Sequence, residues 1–134
     1  MQVQDTLEKY QQDNRPSIAI GHVRLAVTDV SKATEFFVKL GLRHITQSDE
    51  FAVLELRGGT HLVIRKTSDP ISSGTNAPFD LMVDDIITAR QTFTEWGLTV
   101  SEITIGRVHK SFILTGPDGY LITVTSSHTG GRVV

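Results

Sequence analysis

The chain has 134 residues, 39% of them hydrophobic, which fits one globular domain with a substantial core. Its 13 basic and 15 acidic residues give a formal net charge of −2, so neither a nucleic-acid partner nor an anionic membrane is expected. The absence of cysteine excludes disulfides, thiolate nucleophiles and sulfur-ligated metals. No apolar run approaches the roughly 18 residues of a transmembrane helix, and residues 1–5 lack the layout of a signal peptide, so we expect a cytoplasmic protein.

Residues 1–17 are predicted to form an N-terminal arm. Val3, Leu7 and Tyr10 recur at helical spacing in a polar stretch that Pro16 ends. This spacing predicts a short amphipathic helix or arm before the main part of the domain.

The first module, residues 18–66, begins with a strand and a helix. Apolar alternation up to Val27 predicts a half-buried strand. Asp29 stands where a helix N-cap is needed, and Gly41 supplies a left-handed stop after about ten helical residues. The apolar residues between them follow the spacing of a helix face: Ala33, Phe36, Phe37, Leu40. Three further strands are predicted near residues 42–47, 51–57 and 60–66, which completes a β-α-β-β-β module.

The second module, residues 79–126, repeats this pattern after a linker, residues 67–78, that has turn chemistry and no apolar period. Asp85 is a suitable cap for its helix, and Gly97 a suitable end. Its later strands are predicted near residues 98–105, 108–115 and 120–126. A Gly-Pro-Asp-Gly turn at residues 116–119 joins the last two strands.

The two modules are related by sequence as well as by pattern. Shifting residues 25–42 by 56 positions gives seven identities in eighteen positions, where ordinary composition gives about one by chance. The identical pairs are Leu25/Leu81, Val27/Val83, Asp29/Asp85, Ala33/Ala89, Phe37/Phe93, Gly41/Gly97 and Leu42/Leu98. We therefore expect a duplicated unit whose halves pack together, with the functional pocket between them.

Over residues 18–126 the chain resembles the vicinal oxygen chelate superfamily, which includes glyoxalases, bleomycin-resistance proteins, fosfomycin-resistance proteins and extradiol dioxygenases. The residues that carry the resemblance are Gly21-His22-Val23, Val27-Thr28-Asp29-Val30, Phe36-Phe37, Leu40-Gly41-Leu42, Val83-Asp84-Asp85-Ile86, Trp96-Gly97-Leu98 and Gly116-Pro117-Asp118-Gly119-Tyr120. The resemblance implies an α+β fold in which two βαβββ modules form a curved, partly open, barrel-like sheet. It also implies a homodimer, because two-module members commonly dimerise.

Enzymes of this superfamily hold a divalent metal with up to four ligands from the first and last strands of the modules. His22 is the only residue here that matches such a position, since the equivalent of His22 in module two is Pro78. The last-strand positions are Val63 and Thr123, where the metal enzymes carry Glu. One ligand of four cannot hold a catalytic metal, so we expect no metal cofactor. The alternative is a weakly held Zn²⁺, Ni²⁺, Mn²⁺ or Fe²⁺, or a non-standard site built from His22, His61 and His109.

Strand alternation predicts which polar side chains face the cavity. The candidate ligand-binding residues are His22, Arg24, His61, Arg65, Asp80, His109, Ser111 and Thr123. His22 is the candidate catalytic acid or base, with a hydrogen-bonded cavity histidine as the alternative. Arg24 and Arg65 suit an anionic or carbonyl-bearing ligand, although pairing with Asp80 or Glu55 would explain them equally.

The aromatic residues divide into core and ligand-contact candidates. The helical spacing of one set predicts packing between helix and sheet: Phe36, Phe37, Phe93, Trp96. Phe51, Phe112 and Tyr120 are candidates for stacking on a ligand, and each has a core interpretation of similar weight. His128 lies in a Gly-rich tail and is predicted to be at the surface.

These residues favour a binding protein over an enzyme. The leading hypothesis is metal-independent binding of a small polar or aromatic molecule in the sheet cavity, as the resemblance to bleomycin-resistance proteins implies. The alternative is a glyoxalase-like lyase or isomerase, or a dioxygenase-type enzyme, using a divalent metal or His22 as acid or base. A structural module with a side-chain-filled cavity is a third possibility, which the polar cavity positions disfavour.

Overall fold

A computed structural model describes residues 13–127, 129–130 and 132–134. The elements in chain order are β1 (His22–Val27), α1 (Val30–Leu40), β2 (Arg43–Gln47), β3 (Phe51–Glu55), β4 (His61–Lys66), β5 (Leu81–Val83), α2 (Ile86–Glu95), β6 (Thr104–Ile105), β7 (Lys110–Thr115) and β8 (Leu121–Ser126). Residues 1–12 of the stretch predicted to be helical and the surface position predicted for His128 lie outside the described residues. Neither α-helix of the described part has the length and apolar character needed to cross a membrane.

The described strands form two four-stranded sheets and no closed barrel. The strand order is β1-β4-β3-β2 in sheet one and β5-β8-β7-β6 in sheet two. In each sheet the first strand pairs in parallel with the last strand of its module, and the remaining pairs are antiparallel. The prediction of an α+β fold built from two βαβββ modules is therefore confirmed.

The two helices begin with the same local structure, as the duplication predicts. The Asp29 carboxylate accepts the Lys32 backbone N–H at 3.1 Å, and the Asp85 carboxylate accepts the Thr88 N–H at 3.0 Å. The Thr88 hydrogen bond also holds the pKa of Asp85 below its usual value, because it favours the charged carboxylate. Gly41 ends α1 with φ of 111°, a backbone conformation that glycine adopts without steric cost.

Each helix packs on one face of its own sheet. The buried hydrophobic residues of module one are Leu25, Val27, Val30, Ala33, Phe37, Ala52, Leu54, Leu62 and Ile64. Those of module two are Ile86, Phe93, Phe112, Leu114, Tyr120, Ile122 and Val124. Strand alternation then turns the intervening side chains to the opposite, helix-free face of each sheet.

The structure contradicts the core position predicted for Trp96 and decides between the two interpretations left open for Phe112. Trp96 is 40% exposed rather than in the core, because α2 ends at Glu95 and the indole lies against Phe93 at a centroid distance of 5.8 Å. Phe112 cannot stack on a ligand, since it is buried on the helix side of β7 and meets Phe93 edge to face.

Strand β5 has only three residues, and β6 is shorter than predicted. Asn76 forms an isolated bridge with Leu121, but strand β5 begins only at Leu81. Pro78 lies between them and has no N–H to donate to a ladder. The strand predicted over 98–105 reduces to Thr104–Ile105. Here the Ser101 hydroxyl, instead of a backbone carbonyl, accepts the Ile113 N–H at 2.8 Å, which interrupts the ladder.

Hydrogen bonds join the Pro-Asp-Gly turn of module two to the end of β1. The Thr28 N–H donates to the Asp118 carboxylate at 2.9 Å, and the Thr28 hydroxyl donates to its other oxygen. The buried Tyr120 donates its hydroxyl to the Ala26 carbonyl at 2.7 Å. Because Asp118 lies in this turn and Tyr120 follows it directly, these bonds fix the turn against the first module.

Replacing Tyr120 by phenylalanine is expected to lower the free energy of unfolding by about 1 kcal/mol at neutral pH, since one hydrogen bond between the modules is lost. Burial, and secondly the Asp118 charge, raise the pKa of Tyr120. The unfolded chain therefore releases the phenolic proton first, so this stabilisation is complete below about pH 10 and declines as pH rises through the folded pKa. Urea unfolding at increasing alkalinity should show the difference between the two proteins shrinking. A constant difference would contradict this assignment.

Candidate functional site

A row of polar side chains crosses the helix-free face of sheet one, with one residue from each strand. Strand register places them in the order His22, His61, Glu55, Arg43, which we call the polar row. The imidazole rings of His22 and His61 meet edge to face at a centroid distance of 5.8 Å. Arg43 Nη1 lies 3.1 Å from Oε1 of Glu55, and His61 Nε2 lies 3.8 Å from Oε2 of the same carboxylate. Both oxygens of the one carboxylate in the row therefore face a basic side chain.

Beside the polar row the same face becomes apolar. Val63 on β4 is paired in register with Val53 on β3, and both are half-buried. Phe51 is 39% exposed and lies directly opposite Arg65 on the neighbouring strand. The exposed Ala26 of β1 is the other neighbour of Arg65. These residues form a shallow apolar floor at the centre of the sheet.

Arg24 and Arg65 border this floor and are both exposed. Their guanidinium groups have no hydrogen-bond or ion-pair partner among the described residues. The alternative in which they pair with Asp80 or Glu55 is therefore wrong, because Glu55 pairs with Arg43 and His61 instead. Two cationic groups remain available on this face.

The helix-free face of sheet two is polar but carries few charges. Ser111 is paired with Thr125 and Thr123 with Ile113 across β7 and β8, and all four are half-buried. His109 precedes β7, and its Nδ1 lies 2.6 Å from the Ser126 carbonyl oxygen. The ring is therefore held by the last strand of its own module.

The eight residues predicted from the sequence are divided between the two modules. Four of them share the helix-free face of sheet one: His22, Arg24, His61, Arg65. Ser111 and Thr123 lie on sheet two, and His109 lies beside it. Asp80 is exposed just before β5, where it lines a cleft of about 380 Å³ with Met82 and Leu56. Strand alternation put His22, Arg24, His61 and Arg65 on one face, as in the structure, but the sequence did not show that the eight residues belong to separate sheets.

The residues present do not fit a metal centre. Among the described residues no group of three or more His, Asp or Glu side chains is arranged to hold a metal ion. His22 and His61 are neighbours, whereas His109 lies on the other module with its ring against Ser126. The non-standard site of three histidines is therefore not assembled.

The sequence analysis did not include Arg43 among the candidate residues, and it did not place Glu55 in line with the histidines. Strand alternation puts Glu55 on the same face as Phe51, but only the register between β3 and β4 brings it beside His61. The pairing of β2 with β3 shifts between His44 and Thr46, so a count from the turn would misplace Arg43. Knowledge of that register would have revealed the polar row.

Comparisons with known proteins agree with the fold. The family model described as the Glyoxalase/Bleomycin resistance protein/Dioxygenase superfamily matches residues 19–124. No sequence among the curated proteins matches. A lactoylglutathione lyase from Agrobacterium tumefaciens is similar with a TM-score of 0.70 and 17% identity, over 87% of this chain and 99% of that one.

Two bleomycin-related structures are also similar. A bleomycin resistance determinant encoded on the transposon Tn5 gives a TM-score of 0.67 at 17% identity, over 83% of this chain and 99% of that one. A bleomycin-binding protein from Streptomyces verticillus, complexed with copper(II)-bleomycin, gives 0.65 at 17% identity, over 85% of this chain and 100% of that one. Identities this low establish a common fold and nothing about the ligand.

Proposed function

The chain belongs to the Glyoxalase/Bleomycin resistance protein/Dioxygenase superfamily, and from that premise we propose that it binds a small polar or aromatic molecule without a catalytic metal. The binding surface is the helix-free face of sheet one. The observation that carries this proposal is the combination there of an apolar floor, an ordered polar row and two unpaired arginines. A small-molecule site needs this pairing of apolar area with a few placed polar groups.

We propose further that a second copy of the chain encloses this face, in a cytoplasmic homodimer. Large apolar side chains are exposed in both modules, among them Ile20, Ile45, Phe51, Met82, Ile105 and Val108. Covering apolar side chains with a partner removes them from water, which is the main driving force of association. A partner that covers them would turn the shallow floor of sheet one into a pocket.

The test is a titration of the full chain with small aromatic fragments, followed by methyl NMR. Binding is expected to shift the methyl signals of Val53 and Val63 on the floor, and to leave those of the buried Val27 and Leu54 on the helix side nearly unchanged. Shifts confined to the helix side, or no shift with any fragment, would overturn the proposal.

Replacing Phe51 by alanine is expected to weaken the binding of aromatic fragments about 3–10-fold, because the ring is exposed beside the floor and offers a stacking surface. Val38→Ala is the matched control, since Val38 is 44% exposed but lies on α1. Dissociation constants from the same titration give the comparison. Equal affinities for the two variants would exclude Phe51 from the site.

A further inference from the structure

We propose that the ligand of sheet one is a small anion, with a carboxylate or phosphoryl-type oxyanion attached to an apolar or aromatic body. Its charged group is held between Arg24 and Arg65. This inference rests on the proposed function and names the ligand class for the same face.

The charges on this face do not balance. Arg24, Arg43 and Arg65 point to it, whereas Glu55 is the carboxylate in the polar row. Arg43 pairs with one oxygen of Glu55 at 3.1 Å, and the His61 ring lies 3.8 Å from the other. Arg24 and Arg65 therefore have no carboxylate partner among the described residues, although the whole chain carries a net charge of −2. The excess of positive charge is therefore local to this face, since the composition of the whole chain gives a negative net charge.

Most other arginines of the described residues are engaged, and Arg107 is the exception. Arg15, Arg57 and Arg90 each form an ion pair with a carboxylate, those of Asp13, Asp84 and Glu102. Arg107 is exposed in the segment between β6 and β7, and no partner for its guanidinium lies among the described residues. What distinguishes Arg24 and Arg65 is that two free guanidinium groups share one face of adjacent strands.

The positions of the two arginines suit one anionic group. Arg24 pairs in register with Val63, and Arg65 pairs with Ala26, so they are diagonal neighbours across the β1 and β4 pair. Strand spacing and rise put their Cα atoms roughly 8 Å apart, within reach of two long side chains that converge. The guanidinium fork matches the two oxygens of a carboxylate or phosphoryl group and is readily desolvated.

The neighbours of the arginines indicate the rest of the ligand. Val63 and Ala26 lie between them, and Phe51 lies opposite Arg65 with its ring partly in solvent. A purely polar anion such as inorganic phosphate would leave this apolar surface uncovered. An anion with an aromatic or aliphatic body would cover it while its oxyanion reaches the arginines, so we infer an amphiphilic anion.

The experiment compares four probes that share a phenyl ring, titrated into the full chain with the Val63 methyl signal as readout. Benzoate and phenylphosphonate carry the two candidate oxyanions, benzamide is the neutral analogue of benzoate, and benzyltrimethylammonium carries the opposite charge. Benzoate or phenylphosphonate should bind at least about 10-fold more tightly than benzamide, since hydrogen bonds to a charged group are the stronger ones. The cation should bind most weakly.

Arg24→Ala and Arg65→Ala should each reduce the affinity for the anionic probe by about 10-fold and leave that for benzamide unchanged. Arg107→Ala is the matched control, because it removes the same charge from an exposed arginine elsewhere, and it should have no effect. Since all three side chains are exposed, the variants are expected to fold, and their methyl spectra verify this.

The outcomes separate the two proposals. If benzamide shifts Val63 with the same affinity as benzoate, a small-molecule site exists and its anionic preference is refuted. If none of the probes shifts Val63, the proposed function itself fails. If the Arg24 and Arg65 variants alter only the association of the chain with a second copy, the arginines serve the dimer and the assignment of an anionic ligand is overturned.

Discussion

Replacing Phe37 by alanine is expected to lower the free energy of unfolding by about 3–5 kcal/mol, the usual loss for a large aromatic residue in a core. Phe37 is fully buried on α1 and packs edge to face on Phe36 at a centroid distance of 5.1 Å. The helix rests on β3 and β4, the strands whose other face carries the apolar floor of the proposed site. A cavity here would remove dispersion contacts that its neighbours cannot recover by small shifts.

Urea unfolding of the Phe37→Ala variant measures this loss directly, and Val38→Ala is its control. Val38 is the next residue of the same helix and is 44% exposed, so its truncation should change the free energy of unfolding by less than about 1 kcal/mol. Similar losses for the two variants would mean that α1 is not anchored through Phe37. If both variants lose little free energy of unfolding, module one is stabilised mainly by residues other than Phe37.

The helices of both modules could be predicted from the sequence because their signals are local. Asp29 and Asp85 lie immediately before apolar residues at helical spacing, and each caps its helix through the backbone N–H three residues later. Gly41 adopts the positive φ expected of a helix end. These features depend on a few consecutive residues, and tertiary contacts do not override them.

The features that were wrongly predicted depend on distant parts of the chain. Trp96 has the spacing of a core residue, but it lies past the end of α2, where its carbonyl accepts the Lys39 ammonium at 2.8 Å. The break before β6 arises because the Ser101 hydroxyl reaches across to Ile113. Neither contact follows from periodicity, since each one joins segments that meet only in the folded chain.

The candidate site shows the same division. Alternation along β1 and β4 was enough to put Arg24 and Arg65 on one face, because side chains of a strand alternate without reference to its partners. The environment of those arginines was not predictable, since Glu55 could have paired with either of them. Only the register of β2, β3 and β4 shows that Glu55 lies beside Arg43 and His61 instead. The charge available to a ligand is thus a property of strand pairing.

Gly116 lies in the turn of module two at a point where a side chain would meet residues of both modules. A Cβ at Gly116 would lie 2.8 Å from Cδ1 of Ile122 and 3.6 Å from the ring of Phe36. A Cβ here would require the flexible end of Ile122 to shift, whereas its distance to Phe36 is an ordinary contact. Gly119 of the same turn is under a stronger constraint, because its φ is positive and its space is limited by Ser73.

Gly119→Ala is expected to lower the free energy of unfolding by about 2–5 kcal/mol, from two additive effects. Gly119 has φ of 75°, which costs an alanine about 1–2 kcal/mol. The new Cβ would also lie 3.0 Å from the backbone Cα of Ser73 in the linker, an overpacked contact worth about 1–3 kcal/mol. The linker is held at this point because the Gly74 N–H donates to the Gly119 carbonyl at 2.9 Å.

Gly58→Ala separates these two effects. Gly58 has a similar φ of 85°, and a Cβ there would meet no atom within 4 Å. Its loss should therefore be limited to the conformational cost of about 1–2 kcal/mol. Urea unfolding of both variants isolates the linker contact as the difference between them. A larger loss for Gly119→Ala would show that the linker is packed firmly on module two, whereas equal losses would show that Ser73 moves aside and that the linker does not hold the turn in place.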